Sequence, residues 1–204
     1  TERMPTEAER LAALPLVDDD RLVLGDGNTV TLPSGMEIDL GGIAKGYIAD
    51  KLAEKIRGKV KGALLNFGGN VYAVGEKPDG SAFRVGIRDP KNTDTQRAIV
   101  SVKDRTVVTS GTYERFFVKD GVTYHHILDP QTGASAQTDL TSATIVGTSS
   151  MDADAFATAC IVLGKEKALQ LLEDNGLDGL LIDQDEQLTA TTAFAEHYPL
   201  QAVE

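Results

Sequence analysis

Two short segments, far apart in the chain, carry residue types that suit a phosphate-handling site. The first is Asp39-Leu40-Gly41-Gly42-Ile43-Ala44-Lys45-Gly46-Tyr47 and the second is Asp152-Ala153-Asp154-Ala155-Phe156-Ala157-Thr158. In the first, a carboxylate, three glycines and a lysine surround the expected start of a helix. Backbone N–H groups, the helix dipole and one mobile ammonium can together hold a phosphate there. In the second, Asp154 and Thr158 stand one turn apart on one helix face. Their oxygens are hard ligands of the kind magnesium takes while a substrate phosphate completes its shell. Asp152 and Thr158 fall on different faces, so Asp154 is the candidate ligand and Asp152 reads as a first-turn acid that suits the dipole. Plain architecture gives another account of the first segment: a tight strand-to-helix turn, with Asp39 near the N-cap and glycines for positive φ.

Three further segments have chemistry to offer. Asn66-Phe67-Gly68-Gly69-Asn70 reads as strand, turn and strand, where a nucleotide can come close to the backbone. Thr109-Ser110-Gly111-Thr112-Tyr113-Glu114-Arg115 brings hydroxyls and a guanidinium to a polar ligand, or caps a turn. His125-His126-Ile127-Leu128-Asp129-Pro130-Gln131-Thr132-Gly133 puts adjacent histidines on a strand, facing opposite sides, so at most one serves a given site. The turn that follows places His126 near a sheet edge.

The elements that must position these residues follow from pattern. Apolar positions 43, 47, 48, 52 and 56 predict a helix over residues 43–56, closed by Gly58. A second helix is expected over 152–163, with Ser149 or Ser150 as N-cap and Gly164 at its end, and a third over 165–173. Residues 7–14 also have helical character. Strands are expected at 21–24, 29–32, 63–66, 71–74, 83–87, 98–102, 106–110, 116–118, 124–128, 141–146, 179–183 and 188–193. Gly25-Asp26-Gly27-Asn28 and Lys119-Asp120-Gly121 are hairpin turns. Helices set singly between antiparallel hairpins indicate an α+β chain, a mixed, mainly antiparallel sheet with helices packed on it, and argue against a doubly wound parallel sheet. Neither a repeat nor a flexible linker divides it.

Composition excludes several classes. A formal net charge of -11 with no Trp argues against nucleic acid, which needs a basic stripe and stacking platforms. It also means that a phosphorylated ligand needs a metal ion and a placed cation against the overall field. The single cysteine, Cys160, lies in an apolar run and reads as a buried structural thiol; alone it can form neither an internal disulfide nor a thiolate metal cluster. No apolar run approaches the roughly 18 residues of a membrane span, and residues 1–20 lack a signal-peptide pattern.

In this order, the five segments resemble the ApbE family, the FAD:protein FMN transferases. The family pattern is similar to Asp-Leu-Gly-x-Ile-Ala-Lys-Gly-Tyr, Asn-x-Gly-Gly-Asn, Ser-Gly-x-Tyr, His-Ile-Leu-Asp-Pro-x-Thr-Gly and Ala-Asp-Ala-x-x-Thr. The resemblance implies magnesium-dependent transfer of FMN from FAD to a Thr or Ser hydroxyl of an acceptor protein, with release of AMP. Other relatives of this kind bind FAD without turnover or hydrolyse it to FMN and AMP, and these stand as the alternatives. Position by position, the resemblance implies Asp39, Lys45 and Leu128 as FAD contacts. It implies Gly42 through its carbonyl oxygen, with Asp154 and Thr158, as magnesium ligands, and His126 as general base. His125 falls where the family pattern is variable. The family normally has a further stretch before the point where this chain starts, so the expectation is a single domain over residues 1–204, N-terminally short. By analogy the protein is expected to be exported, periplasmic or on the cell surface, with membrane attachment only through an anchor outside this chain. Acceptors of the family carry an Asp-x-x-Ser/Thr-Gly-Ala-Ser/Thr pattern. Asp129-Pro130-Gln131-Thr132-Gly133-Ala134-Ser135 resembles it, which reads either as a β-turn or as a self-acceptor at Ser135.

Overall fold

The computed structural model describes residues 3–200. Helix α1 (Glu7–Ala13) is stabilised by a capping box in which Thr6 and Glu9 satisfy each other's backbone N–H. It buries no residue of its own, and its Arg10 guanidinium donates to the carbonyl of Thr132. Strands β1 (Val23–Gly25) and β2 (Thr29–Thr31) form the expected hairpin, with Gly27 and Asn28 at positive φ in the turn. Arg21, expected in the strand, belongs instead to a 3-10 turn over Asp19–Arg21.

Helix α2 (Ala44–Ile56) begins at Ile43 with no side-chain cap, and Gly58 at φ 76 ends its last turn. Asp39 is therefore not its N-cap; its Oδ1 accepts from the Gly41 N–H at 2.6 Å and shapes the preceding turn. There follow β3 (Gly62–Phe67), β4 (Asn70–Gly75), β5 (Phe83–Arg88), β6 (Gln96–Val102), β7 (Arg105–Gly111), β8 (Phe116–Lys119), β9 (Val122–His125) and β10 (Leu140–Gly147). Helix α3 (Ser150–Leu163) is capped by Ser149, whose Oγ accepts from the Asp152 N–H at 3.2 Å. The chain continues through α4 (Lys165–Asp174), β11 (Asp178–Asp183), β12 (Leu188–Ala190) and α5 (Thr192–His197). The expected strand over 188–193 thus stops at Ala190. The Thr191 Oγ1 caps a short helix by accepting from the Phe194 N–H, and Phe194 buries fully beneath it.

A six-stranded sheet, ordered β12-β11-β10-β7-β4-β3 and antiparallel throughout, organises the chain. Strand alternation sends consecutive residues to opposite layers. Val108, Ala143, Ile145 and Leu181 face a core shared with α3 and α4, whereas Val107, Val146, Leu180 and Ile182 face one shared with the β5–β6 hairpin and α5. Helix α2 covers the β3–β4 end on the helix side through Ala49 and Ala53 against Tyr72 and Val74. Cys160 is fully buried in the α3 core, and burial pushes its thiol up to about 12, as expected of a structural cysteine. Among the described residues no helix is long and apolar enough to cross a membrane.

Candidate functional site

The site forms where the backbones of α2 and α3 meet. Gly46, in the first turn of α2, lies so near the Ser150 carbonyl that a side chain there has no room. This approach lets the Gly46 N–H donate to Asp154 Oδ2 at 3.0 Å across the helix pair. One turn earlier, a Cβ built on Gly42 would stand 3.8 Å from Thr158 Oγ1. The structure thus brings Gly42, Asp154 and Thr158 into one cluster, although their segments are more than a hundred residues apart in sequence.

Asp50 holds α3 in this position, and sequence reasoning missed it. Its carboxylate accepts from the N–H of Ser150 at 2.7 Å and of Met151 at 2.9 Å, so one helix caps the other. Ser150 Oγ in turn accepts from Thr106 Oγ1 of β7 at 2.9 Å. The only local hint was a further carboxylate one turn beyond Gly46. Loss of a cap of this kind costs about 1–2 kcal/mol. Asp50→Ala is expected to lower the melting temperature by roughly 2–8 °C, and thermal unfolding followed by circular dichroism checks it.

Asp154 is 2% exposed. Burial raises its pKa above the usual carboxylate range, while the Gly46 N–H, the Lys45 charge and the neighbouring Asn70 amide pull it back down. Lys45 is therefore part of the cluster's electrostatics. Asn70 itself is fully buried on β4, close enough to favour the charged carboxylate, yet neither its Nδ2 nor its Oδ1 completes a hydrogen bond. Thr158 shares a 3.1 Å hydrogen bond with Ser110 Oγ of β7. If the Thr158 proton goes to Ser110, the Thr158 lone pairs stay free for a ligand.

These residues fit a hard divalent cation such as magnesium. A buried carboxylate, a hydroxyl and a backbone segment at a helix start are oxygen donors, and the buried Asn70 amide awaits a polar neighbour. Among the described residues no cluster of three or more His, Cys, Asp or Glu exists.

Among the described residues, the remaining expected residues make no hydrogen bond to this cluster. Strand β9 ends at His125, short of the expected 128, so His126 and Leu128 stand on the irregular segment that follows. His125 is buried and its Nε2 meets the Ala136 carbonyl at 2.8 Å; burial holds its pKa below the ordinary value. His126 is exposed, as opposite facing requires, and its backbone N–H donates to the Arg115 carbonyl at 3.2 Å. Among the described residues its ring has no hydrogen bond. Between the exposed His126 and Leu128, Ile127 anchors the segment to the core shared with α3. Asp39 is exposed at the turn before α2. Ser135 is buried and its Oγ donates to the His125 carbonyl at 2.6 Å, so the 129–135 segment is a turn with an engaged serine, not an open acceptor. A cleft of ≈ 590 Å³ opens on the other face of the sheet, lined by Asn66, Gly69, Gly86, Arg88, Tyr113 and Arg115, and does not include the cluster.

Fold and cluster together define an antiparallel α+β protein with a cluster of hard oxygen donors at a helix junction. Comparison with known proteins makes this specific. The chain belongs to the ApbE family, whose family model matches residues 1–181. It is 45% identical over 185 residues to the FAD:protein FMN transferase of Treponema pallidum, covering 85% of this chain and 51% of that protein. It is 38% identical over 194 residues to a FAD:protein FMN transferase of Klebsiella pneumoniae, covering 91% of this chain and 58% of that protein. The crystal structure of the ApbE protein of Thermotoga maritima superposes with a TM-score of 0.88 at 33% identity, over 96% of this chain and 64% of that one. The flavinyl transferase ApbE of Pseudomonas stutzeri, in its apo form, gives 0.83 at 34% identity, over 98% and 64%. The chain spans just over half the length of the curated relatives it matches.

Proposed function

We propose that this chain carries the catalytic part of a magnesium-dependent FAD:protein FMN transferase. The observation that carries the reading is the meeting of Gly42, Asp154 and Thr158 at the α2–α3 junction, with Lys45 acting on the same carboxylate, in a chain similar to enzymes of that name. Gly42 through its carbonyl, Asp154 and Thr158 would hold the metal. When bound, magnesium would neutralise charge on the FAD pyrophosphate and on the departing AMP. Lys45 supplies a second positive charge beside the phosphates. Asp39 and Leu128, both exposed, contact FAD. His126 takes the proton from the acceptor hydroxyl. The freed oxygen bonds to the FMN phosphorus, the bond from that phosphorus to the AMP phosphate oxygen breaks, and AMP leaves. The product is a flavin joined by phosphoester to a Ser or Thr of an acceptor bearing the Asp-x-x-Ser/Thr-Gly-Ala-Ser/Thr pattern.

The test is incubation with FAD, magnesium and a peptide carrying that pattern, read by intact mass. Added FMN on the peptide supports transfer by this chain. AMP without labelled peptide points to hydrolysis, and neither product rules out turnover by residues 1–204 alone. In a flavinylating preparation, His126→Ala is expected to slow transfer roughly 10²–10⁴-fold with FAD affinity unchanged. Loss of FAD binding in that variant would remove His126 from the base role.

A further inference from the structure

No hydrogen bond within the described residues accounts for Asn70 being an amide. Its backbone is held from both sides, paired with Phe67 on β3 and with Val108 on β7. Strand alternation puts its side chain on the same face as Tyr72 and Val74, toward α2 and α3. There it is fully enclosed, and among the described residues it is the one side chain with two polar atoms buried and unpartnered. Leaving such groups unpaired is costly, and a leucine of the same branched shape would avoid the cost. Its strand partner Val108 packs on that face against Ala153 and Ala157, so the turn of α3 that carries Asp154 lies over Asn70, and Asp154 itself takes the Gly46 N–H.

We infer that Asn70 is a positioning residue of the metal site, satisfied only when that site is filled. A carboxylate can only accept, so the amide NH2 is the half that faces Asp154. The Oδ1 is then left for a donor, and a water in the metal's shell is a strong one. Asn70 would fix the Asp154 carboxylate on one side and the metal's water on the other, from a strand paired on both edges. Such outer partners tune metal affinity by orienting the ligands they touch. The inference rests on the metal-assisted reading above and goes beyond the ligand set that reading names.

The test titrates MnCl2 into the full chain without FAD, with free Mn2+ counted by electron paramagnetic resonance, alongside metal-free thermal unfolding. Asn70→Leu is expected to bind Mn2+ about 10–100-fold more weakly while melting, metal-free, at the same temperature as wild type or higher. Unchanged affinity overturns the inference and leaves the metal reading intact. Weaker binding together with a lower metal-free melting temperature also counts against it, because the loss then follows from damage to the fold. Wild-type protein that takes up no Mn2+ removes the metal reading and this inference with it. Asn70→Ala is read by the same criteria should leucine not be accommodated.

Discussion

Gly46→Ala is expected to pull the two site helices apart. The added methyl would stand 2.6 Å from the Met151 Cα and closer still to the Ser150 carbonyl, both backbone atoms that no rotamer change can move. Overpacking of this kind costs about 1–3 kcal/mol, or roughly 2–12 °C in melting temperature for a chain of this size. The larger effect falls on function. The same displacement lengthens the Gly46 N–H to Asp154 hydrogen bond and separates Gly42 from Thr158, and a misplacement of about 1 Å can cost roughly 10²-fold in rate. Gly147→Ala is the comparator, because a methyl there meets only the Ser149 carbonyl at 3.9 Å. Equal losses of stability and of Mn2+ affinity in the two variants would show that the helix contact does not build the site.

Asp154→Asn separates stability from activity in the opposite direction. The carboxylate is nearly sequestered from solvent, and a buried charge is expensive unless fully paired. An asparagine keeps an acceptor for the Gly46 N–H and removes the charge. The metal-free variant should therefore melt no lower than wild type. Flavin transfer, on the proposed scheme, should fall by at least roughly 10²–10³-fold, the loss typical of removing one electrostatic contact from a reacting centre, and Mn2+ uptake should fall with it. A variant that keeps metal-dependent transfer would exclude Asp154 as a ligand. One that unfolds without metal would make the carboxylate structural.

What could be read from the chain divides by the range of the interactions involved. The Asp154–Thr158 pair was legible because helical periodicity is local, and the Ser149 cap for the same reason. The six-stranded sheet was legible as strands but not as an order, since the β10–β7 and β7–β4 neighbours are set by how two core faces close. Asp50 was not legible at all: its partners lie 100 and 101 residues away, and nothing near Asp50 announces a cap on another helix. Asn70 was visible as part of a Gly-Gly turn, but its lack of partners is a property of the enclosure that β4, α2 and α3 make together. The strand expected over 188–193 holds to Ala190 and stops there. There, the Thr191 hydroxyl found the Phe194 N–H and the burial of Phe194 decided for helix.

The hairpin that leads to His126 answers to different constraints from the helix junction. Among the described residues its strands β8 and β9 pair only with each other, and Phe116, Phe117 and Val118 are exposed on them. The Gly42–Asp154–Thr158 cluster is instead welded to α2, α3 and β7. On the proposed scheme the welded part handles the nucleotide, which is the same for every enzyme of this kind. The hairpin part carries His126, which on that scheme takes the proton of the acceptor hydroxyl. Substitutions over residues 116–124 therefore leave the donor oxygens of the helix junction untouched and, on that scheme, act on the reaction through the placement of His126.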